Sequence, residues 1–401
     1  MGAGDPNIAP VAAPRHWAYN TAMRTSITLG AAILLVVVRA TAARGQHSDL
    51  RFTGIAAGGS HTCGLTAAGA AYCWGRNEFG QLGDSSTTDR PTPVLVHGGI
   101  GFRQLAAGSH HTCGVDTLGT PYCWGRNDHG QAGTGLGSDR SYPVQVTGRV
   151  RMKAISAGAQ HTCATIVHWE HEDRMYCWGH NSHGQLGNRE LRHSATPAPA
   201  FGTVRYTALA AGNRHTCGVT SAGTVNCWGA NERGQLGNGS LTNSNVPFPI
   251  RVTRRVAFTG VTVGATHSCA LTSEGEVYCW GQNSAGQLGI GKRGYSIMPQ
   301  RLDRSLRFAV LSAGGDATCG VRRDGVVYCW GSNAAGQFGA ASPAGSPTPV
   351  PVLSGIALAS LSLGDAHACG LKEDGSAYCW GRLGSGTDAG AAEPVRVSGQ
   401  P

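Results

Sequence analysis

Fourteen cysteines are the residues in this 401-residue sequence best equipped for chemistry, and their spacing says which kind. They fall into seven pairs: Cys63 and Cys73, Cys113 and Cys123, Cys163 and Cys177, Cys217 and Cys227, Cys269 and Cys279, Cys319 and Cys329, and Cys369 and Cys379. Partners lie 10 residues apart in six pairs and 14 apart in the third. Zinc sites favour knuckles with about two to four residues between cysteines and four ligands close together. No such knuckle occurs, so no metal site is expected. Residues facing each other in an antiparallel hairpin keep a constant index sum, so Cys63 opposes Cys73 just as Leu65 opposes Ala71. Each pair therefore reads as a cross-strand disulfide within one hairpin. The four extra residues in the third pair are an even number and leave the facing unchanged. A bridge closing so short a loop contributes roughly 2.5–3 kcal/mol in the chain-entropy picture.

Histidine recurs two residues before the first cysteine of each pair, at His61, His111, His161, His215, His267 and His367. The sixth copy has Ala317 there, within a motif whose other residues look unchanged. A residue one copy can lose is expected to be structural, bonded to a neighbouring turn, rather than an acid–base group or a ligand. The sequence holds no G-x-S-x-G, no H-E-x-x-H and no phosphate-binding G-x-x-x-x-G-K-[ST]. Asp324, Glu373 and Asp374 sit beside glycines at hairpin turns, and no isolated carboxylate pair of the glycosidase kind is marked. No catalytic residue and no cofactor are expected, and the chain is not read as an enzyme.

These residues are positioned by a repeat. HTCGLTAAGAAYCWGRNEFGQLG from His61 returns six times, with first cysteines at steps of 50, 50, 54, 52, 50 and 50. Units begin near 50, 100, 150, 204, 256, 306 and 356. Each holds four stretches that suit strands: a lead-in such as residues 54–58, the His-Thr-Cys segment, Tyr-Cys-Trp-Gly, and a segment after a proline, as at 93–96 and 394–397. Four strands per unit make one blade, and seven blades close a ring without free sheet edges. The expected fold class is all-β, a seven-bladed β-propeller of four-stranded blades with one disulfide per blade. Trp74, Trp124, Trp178, Trp228, Trp280, Trp330 and Trp380 are expected to pack between blades. The glycine after each tryptophan allows close backbone approach, and Asn-x-x-Gly-Gln-Leu-Gly is turn chemistry.

Residues 1–43 read as a secretory signal peptide, cleaved or kept as an anchor, and residues 44–401 as the propeller. Arg24 precedes a twelve-residue apolar run at 27–38, too short for an ordinary membrane-crossing helix, and Ala40 and Ala42 form a small-residue exit. Met23 is an alternative start. Export fits oxidised cysteines, which persist outside the cytosol. The expected location is secreted, periplasmic or cell surface. The net charge of +9 is moderate and diffuse, and gives no case for nucleic-acid binding.

The units differ after each Gly-Gln-Leu-Gly, over residues 84–90, 134–141, 188–196, 238–245, 290–298, 340–346 and 387–393. Constant blades with variable loops are how binding surfaces are built. Arg90, Arg140, Arg189, Arg192 and Arg293 are the candidate binding residues, because arginine is enriched at energetic centres of interfaces. Arg149, Arg151 and Lys153 alternate on one strand, more as a solvated edge than as a polyanion site. Asn238-Gly239-Ser240 matches a glycan acceptor.

The chain resembles the Regulator of Chromosome Condensation repeat family. Gly-x-x-His-Thr, then Gly-x-x-Tyr-x-Trp-Gly-x-Asn, Gly-Gln-Leu-Gly and a later Pro-x-x-Val recur seven times over about residues 50–397, in a secreted, Cys-bearing variety. The resemblance implies a seven-bladed propeller whose broad surface binds another macromolecule. A monomer with a protein partner is expected. A glycan-binding or glycan-active propeller is the alternative, and guanine-nucleotide exchange of the nuclear kind a weaker one. Two departures stand out: Leu383-Gly384-Ser385-Gly386 in the seventh unit replaces the Asn and Gln-Leu-Gly, and the third hairpin is enlarged from His168 to Arg174.

Overall fold

A computed structural model describes residues 50–397, apart from 136, 149, 168–172, 251–255, 340–343 and 383–390. The segment read as a signal peptide, Arg149, residues 168–172 of the enlarged third hairpin and the seventh-unit departure lie outside the described residues. Seven four-stranded antiparallel sheets follow one another along the chain. They form blade 1 (residues 52–95), blade 2 (102–145), blade 3 (152–199), blade 4 (206–249), blade 5 (258–301), blade 6 (310–352) and blade 7 (360–396). Among the described residues no helix is long and apolar enough to cross a membrane.

Within each blade the strands pair in chain order. In blade 1 they are Phe52–Ala57, His61–Thr66, Ala71–Gly75 and Arg90–Leu95. The fourth strand starts earlier than the sequence reading placed it, at Arg90 rather than at Pro93, and takes in two prolines. It is the outer edge of the sheet, where a missing N–H costs no ladder bond.

The cysteine pairing expected from the sequence is the pairing found. Cys63 is bridged to Cys73, Cys113 to Cys123, Cys163 to Cys177 and Cys217 to Cys227. Cys269 is bridged to Cys279, Cys319 to Cys329 and Cys369 to Cys379, which leaves no cysteine free. Every pair sits directly opposite in the second and third strands of its blade, with Cα atoms 4.1 Å apart. Cys163 faces Cys177 in the same register despite its longer hairpin.

The first strands line a central cavity of about 440 Å³. Their ends carry glycine because the blades converge there: a Cβ on Gly58 would lie 2.3 Å from the Gly108 carbonyl oxygen, and one on Gly364 would lie 2.1 Å from that of Gly58. Blade 7 meets blade 1 through complete sheets, without exchanging a strand. The Gly375 carbonyl accepts the Phe52 N–H at 2.9 Å, and Ser362 Oγ accepts that of Ala57 at 2.9 Å.

Core residues group by junction rather than by blade. Trp124 of blade 2 is buried among Cys63, Leu65, Cys73, Leu82 and Val96 of blade 1, and Trp74 among Cys369, Cys379 and Val397 of blade 7. The tryptophans thus pack between blades as expected. Five also donate from Nε1 to the carbonyl of the preceding blade's glutamine, as Trp124 does to Gln81 at 2.9 Å. The glycine after each tryptophan is obligatory: Gly75 has φ +107°, and a Cβ there would meet the Ser60 carbonyl at 2.6 Å.

The repeated histidines are buried and structural, but their partner is not a turn. His61 Nε2 bonds Thr112 Oγ1 of the next blade at 2.8 Å. The pattern continues as His111–Thr162, His161–Thr216, His215–Ser268, His267–Thr318 and His367–Thr62. In five junctions that hydroxyl donates onward to the glutamine carbonyl, as Thr112 does to Gln81 at 2.8 Å. Its oxygen is then left to accept, so Nε2 carries the histidine proton. Nδ1 is buried without a protein partner. Burial accordingly lowers these six pKa values to about 3 or 4.

Candidate interaction face

In a four-stranded antiparallel blade the connections between strands one and two and between strands three and four leave the same end. The described variable loops therefore lie around one mouth of the central cavity. In blades 1 to 6 the loop asparagine shapes the turn. Asn77 Oδ1 accepts the Leu82 N–H at 2.9 Å, while Nδ2 donates to the carbonyls of Ser86 and Thr88 at 3.1 and 3.0 Å. Asn181 and Asn231 repeat the arrangement, with Glu190 and Arg192, and Ser240 and Thr242, as acceptors. The glutamine helps, its Oε1 accepting the N–H two residues earlier, as Gln81 does from Phe79 at 3.0 Å. One constant amide thus turns the loop carbonyls inward and leaves the loop side chains free to vary.

The five candidate arginines divide into two groups. Arg90 and Arg140 begin the fourth strands of blades 1 and 2 and are half-buried. Arg90 Nε pairs with Asp84 Oδ2 at 2.9 Å. Burial pushes the Asp84 carboxyl up, but bonds from Ser86, Arg90 and Asn77 outweigh it and hold the group below its usual range. Arg90 therefore braces its own loop. Arg189, Arg192 and Arg293 are exposed on blades 3 and 5. Arg189 adopts φ +70° and lies 3.7 Å above the Phe201 ring, and Arg293 donates to the Ser284 carbonyl at 2.7 Å.

Sequence reasoning missed the apolar part of this face. Tyr142, Leu191, Leu241 and Tyr295 are 45–59% exposed, one each on blades 2, 3, 4 and 5. The signal was present as apolar letters in and beside polar loops, but exposure decides their meaning, and exposure belongs to the folded chain. Together with Arg189, Arg192 and Arg293 they make an arc of aromatic, aliphatic and guanidinium groups, the mix that anchors protein interfaces. Elsewhere Lys153 pairs with Asp173 at 2.8 Å, which neutralises one member of the alternating basic strand. Asn238 Oδ1 accepts bonds from Asn231 Nδ2 and the Ser240 N–H, so the side chain of the glycan-acceptor motif is engaged in its own loop. The repeated Tyr72, Tyr122, Tyr278 and Tyr328 pack edge-on against Phe52, Phe102, Phe258 and Phe308. They offer packing surface rather than a sugar platform.

Comparison with known proteins agrees with this geometry. The chain is 31% identical over 248 residues to the Ultraviolet-B receptor UVR8 of Arabidopsis thaliana, covering 61% of this chain and 45% of the receptor. It is 27% identical over 242 residues to the E3 ubiquitin-protein ligase HERC2 of Homo sapiens, covering 59% of this chain and 4% of the ligase. The chain thus spans less than half the length of these curated relatives. Among solved structures, Prp20p from Saccharomyces cerevisiae superposes with a TM-score of 0.73 at 22% identity, covering 83% of this chain and 87% of that one. The ectodomain of the Arabidopsis thaliana receptor kinase ACR4 does so with 0.53 at 20% identity, covering 86% and 98%. These two likenesses concern the fold. Regulator of chromosome condensation (RCC1) repeats match residues 52–81 and 102–131, and again 68–115 and 119–165. With residues 143–400 matching the RCC1-like domain, the chain belongs to the RCC1-repeat family of β-propellers.

Proposed function

We propose that this propeller is an exported binding module that holds a protein partner on its loop face, as a single copy and without catalysis. The observation that carries the reading is the division of labour within each unit. Disulfide, tryptophan, histidine and asparagine build the ring, while the loops they frame and the starts of the fourth strands expose Tyr142, Leu191, Leu241, Tyr295 and three unburied arginines. Export is supported by seven bridged cysteine pairs with no cysteine left free, a pattern suited to an oxidising compartment. The arginine-rich composition favours a partner with an acidic patch.

The test is affinity capture from envelope and culture-fluid extracts. It compares the oxidised protein with a variant that combines Arg189→Ala, Leu191→Ala, Arg192→Ala and Tyr295→Ala. The expected result is one protein retained in stoichiometric amount by the native chain and lost, by about tenfold or more, from the variant. Equal retention by both would remove the loop face as the binding surface. Retention of polysaccharide alone would replace the protein partner with a glycan.

A further inference from the structure

Blade 3 carries histidine at two loop positions that vary from blade to blade. After Trp-Gly, blades 1, 2 and 7 carry Arg76, Arg126 and Arg382, blades 4, 5 and 6 carry Ala230, Gln282 and Ser332, and blade 3 carries His180. Later in the loop, blades 1, 2 and 4 carry Asp89, Asp139 and Asn243. Each side-chain oxygen there accepts the N–H of its repeat asparagine, at 2.7, 2.8 and 2.7 Å. Blade 3 has His193 in place of that acceptor. Both imidazoles turn toward His129 of blade 2. The ring centres of His129 and His180 are 4.7 Å apart, those of His129 and His193 4.9 Å, and those of His180 and His193 4.6 Å. One ring nitrogen from each lies within 4.8 Å of the other two. His129 and His180 are half-buried and His193 is exposed.

We propose that His129, His180 and His193 hold one divalent transition-metal ion of the zinc class, clamping blade 2 to blade 3 on the loop face with a coordination position left open. Three imidazoles select zinc, copper or nickel over magnesium or calcium, which take oxygen ligands. Three protein ligands around zinc leave a fourth place for water or for a group from a partner. Ligand nitrogens in a tetrahedral zinc site stand roughly 3.4 Å apart, so the rings need to close by little more than an ångström, which side-chain rotation supplies. The backbone is already fixed. The His129 N–H donates to Gln131 Oε1 at 2.9 Å, and the His180 N–H to the Gln160 carbonyl at 2.8 Å. Both nitrogens of His180 already have a protein partner, Nδ1 accepting from Gln185 Nε2 at 2.7 Å and Nε2 meeting Ser182 Oγ at 3.2 Å, and the ion displaces one of the two. Asp128 Oδ2, 3.9 Å from His129 Nε2, is itself paired with Arg126 at 2.6 Å, so this neighbour adds no net charge beside the cation. No spacing motif announces this site: His129 lies in one repeat, the other two in the next.

The test uses the full, untagged, oxidised chain stripped with chelator, then titrated with Zn²⁺ by calorimetry and with Co²⁺ by visible absorption. The expected result is one saturable equivalent and a rise in melting temperature with Zn²⁺. Affinity should fall by more than about tenfold in His129→Gln, His180→Gln and His193→Asn, since even a neighbour of a ligand is worth that much. His193→Asn restores the capping residue of blade 4, so it keeps the fold while removing the imidazole. His97→Gln in blade 1 should bind as the native chain does. Absence of saturable binding, or binding that survives in the three variants, overturns the site. So does equal loss in His97→Gln.

Discussion

The junction between blades 6 and 7 and the other six junctions share the same tryptophan and disulfide frame, yet they solve one packing problem in opposite ways. Six junctions bury a histidine against a hydroxyl of the following blade. In the remaining one Ala317 and Ala368 are both buried, in the same apolar cluster as Cys319, Cys329, Phe338 and Trp380. The sequence reading saw the lost histidine but judged its companions unchanged, because the companion is in the next unit. His-Thr-Cys becomes Ala-Thr-Cys in blade 6, and His-Ala-Cys in blade 7. The two halves of the bond disappeared together. That is the expected behaviour of buried polar pairs: losing one partner strands the other, whereas losing both leaves ordinary apolar packing. Phe338, standing where blades 1, 3, 4 and 5 carry Leu82, Leu186, Leu236 and Leu288, adds volume at the same place.

The contrast is most easily broken with acid. The six junction histidines have pKa values lowered from 6.5 to about 3 or 4 in the fold. Below pH 6.5 the unfolded chain therefore binds more protons than the native one. The stabilisation is complete above that pH and is lost as pH falls toward 4 and then 3. Each histidine contributes a slope of roughly 1.4 kcal/mol per pH unit. Denaturant unfolding followed from pH 7 to 4 should show a steep loss. That loss should be reduced by about one proton's worth when His111→Ala and Thr162→Ala are combined, which makes a second apolar junction. A flat profile would mean the histidines are not buried in neutral form.

At neutral pH the same junction gives a double-mutant cycle. His111→Ala alone should cost about 2–4 kcal/mol, from a cavity and a stranded hydroxyl. Thr162→Ala alone should cost about 1–3 kcal/mol, and the pair less than the sum by about 0.5–3 kcal/mol. Strict additivity in chemical denaturation would mean the bond carries no coupling. The smallest effect belongs to the apolar junction. Ala317→His alone should destabilise by about 1–3 kcal/mol, through crowding and an unpaired ring N–H. Adding Ala368→Thr should recover part of that loss. If the second change makes matters worse, the two alanines are unrelated and the contrast is accidental.

How legible all this was follows from distance along the chain. The period, the second and third strands and the cysteine pairing could be read because a hairpin is local, and the tryptophan's place between blades because one large apolar ring recurs in every unit. Cys63 finds Cys73 across a turn, and the same arithmetic sets Cys113 against Cys123, Cys217 against Cys227 and Cys269 against Cys279. The start of the fourth strand could not be read, because an outer edge tolerates prolines that a sequence reading takes as boundaries. The five arginines could be named as loop residues but not sorted into the half-buried Arg90 and Arg140 and the exposed Arg189, Arg192 and Arg293, since the sorting depends on which loop atoms the asparagine draws inward.

Sequence by itself determined the blade: four strands, one bridge, one tryptophan, seven times over, each specified by contacts within about fifty residues. Only the tertiary structure decided what the blades do to one another. It set the histidine against a hydroxyl in the next unit, paired the loss at 317 with the loss at 368, gathered His129 with His180 and His193, and left four apolar residues in and beside the loops exposed. These contacts exist only once neighbouring blades are docked around the ring. No spacing in the chain encodes them, because each half is written in a different repeat.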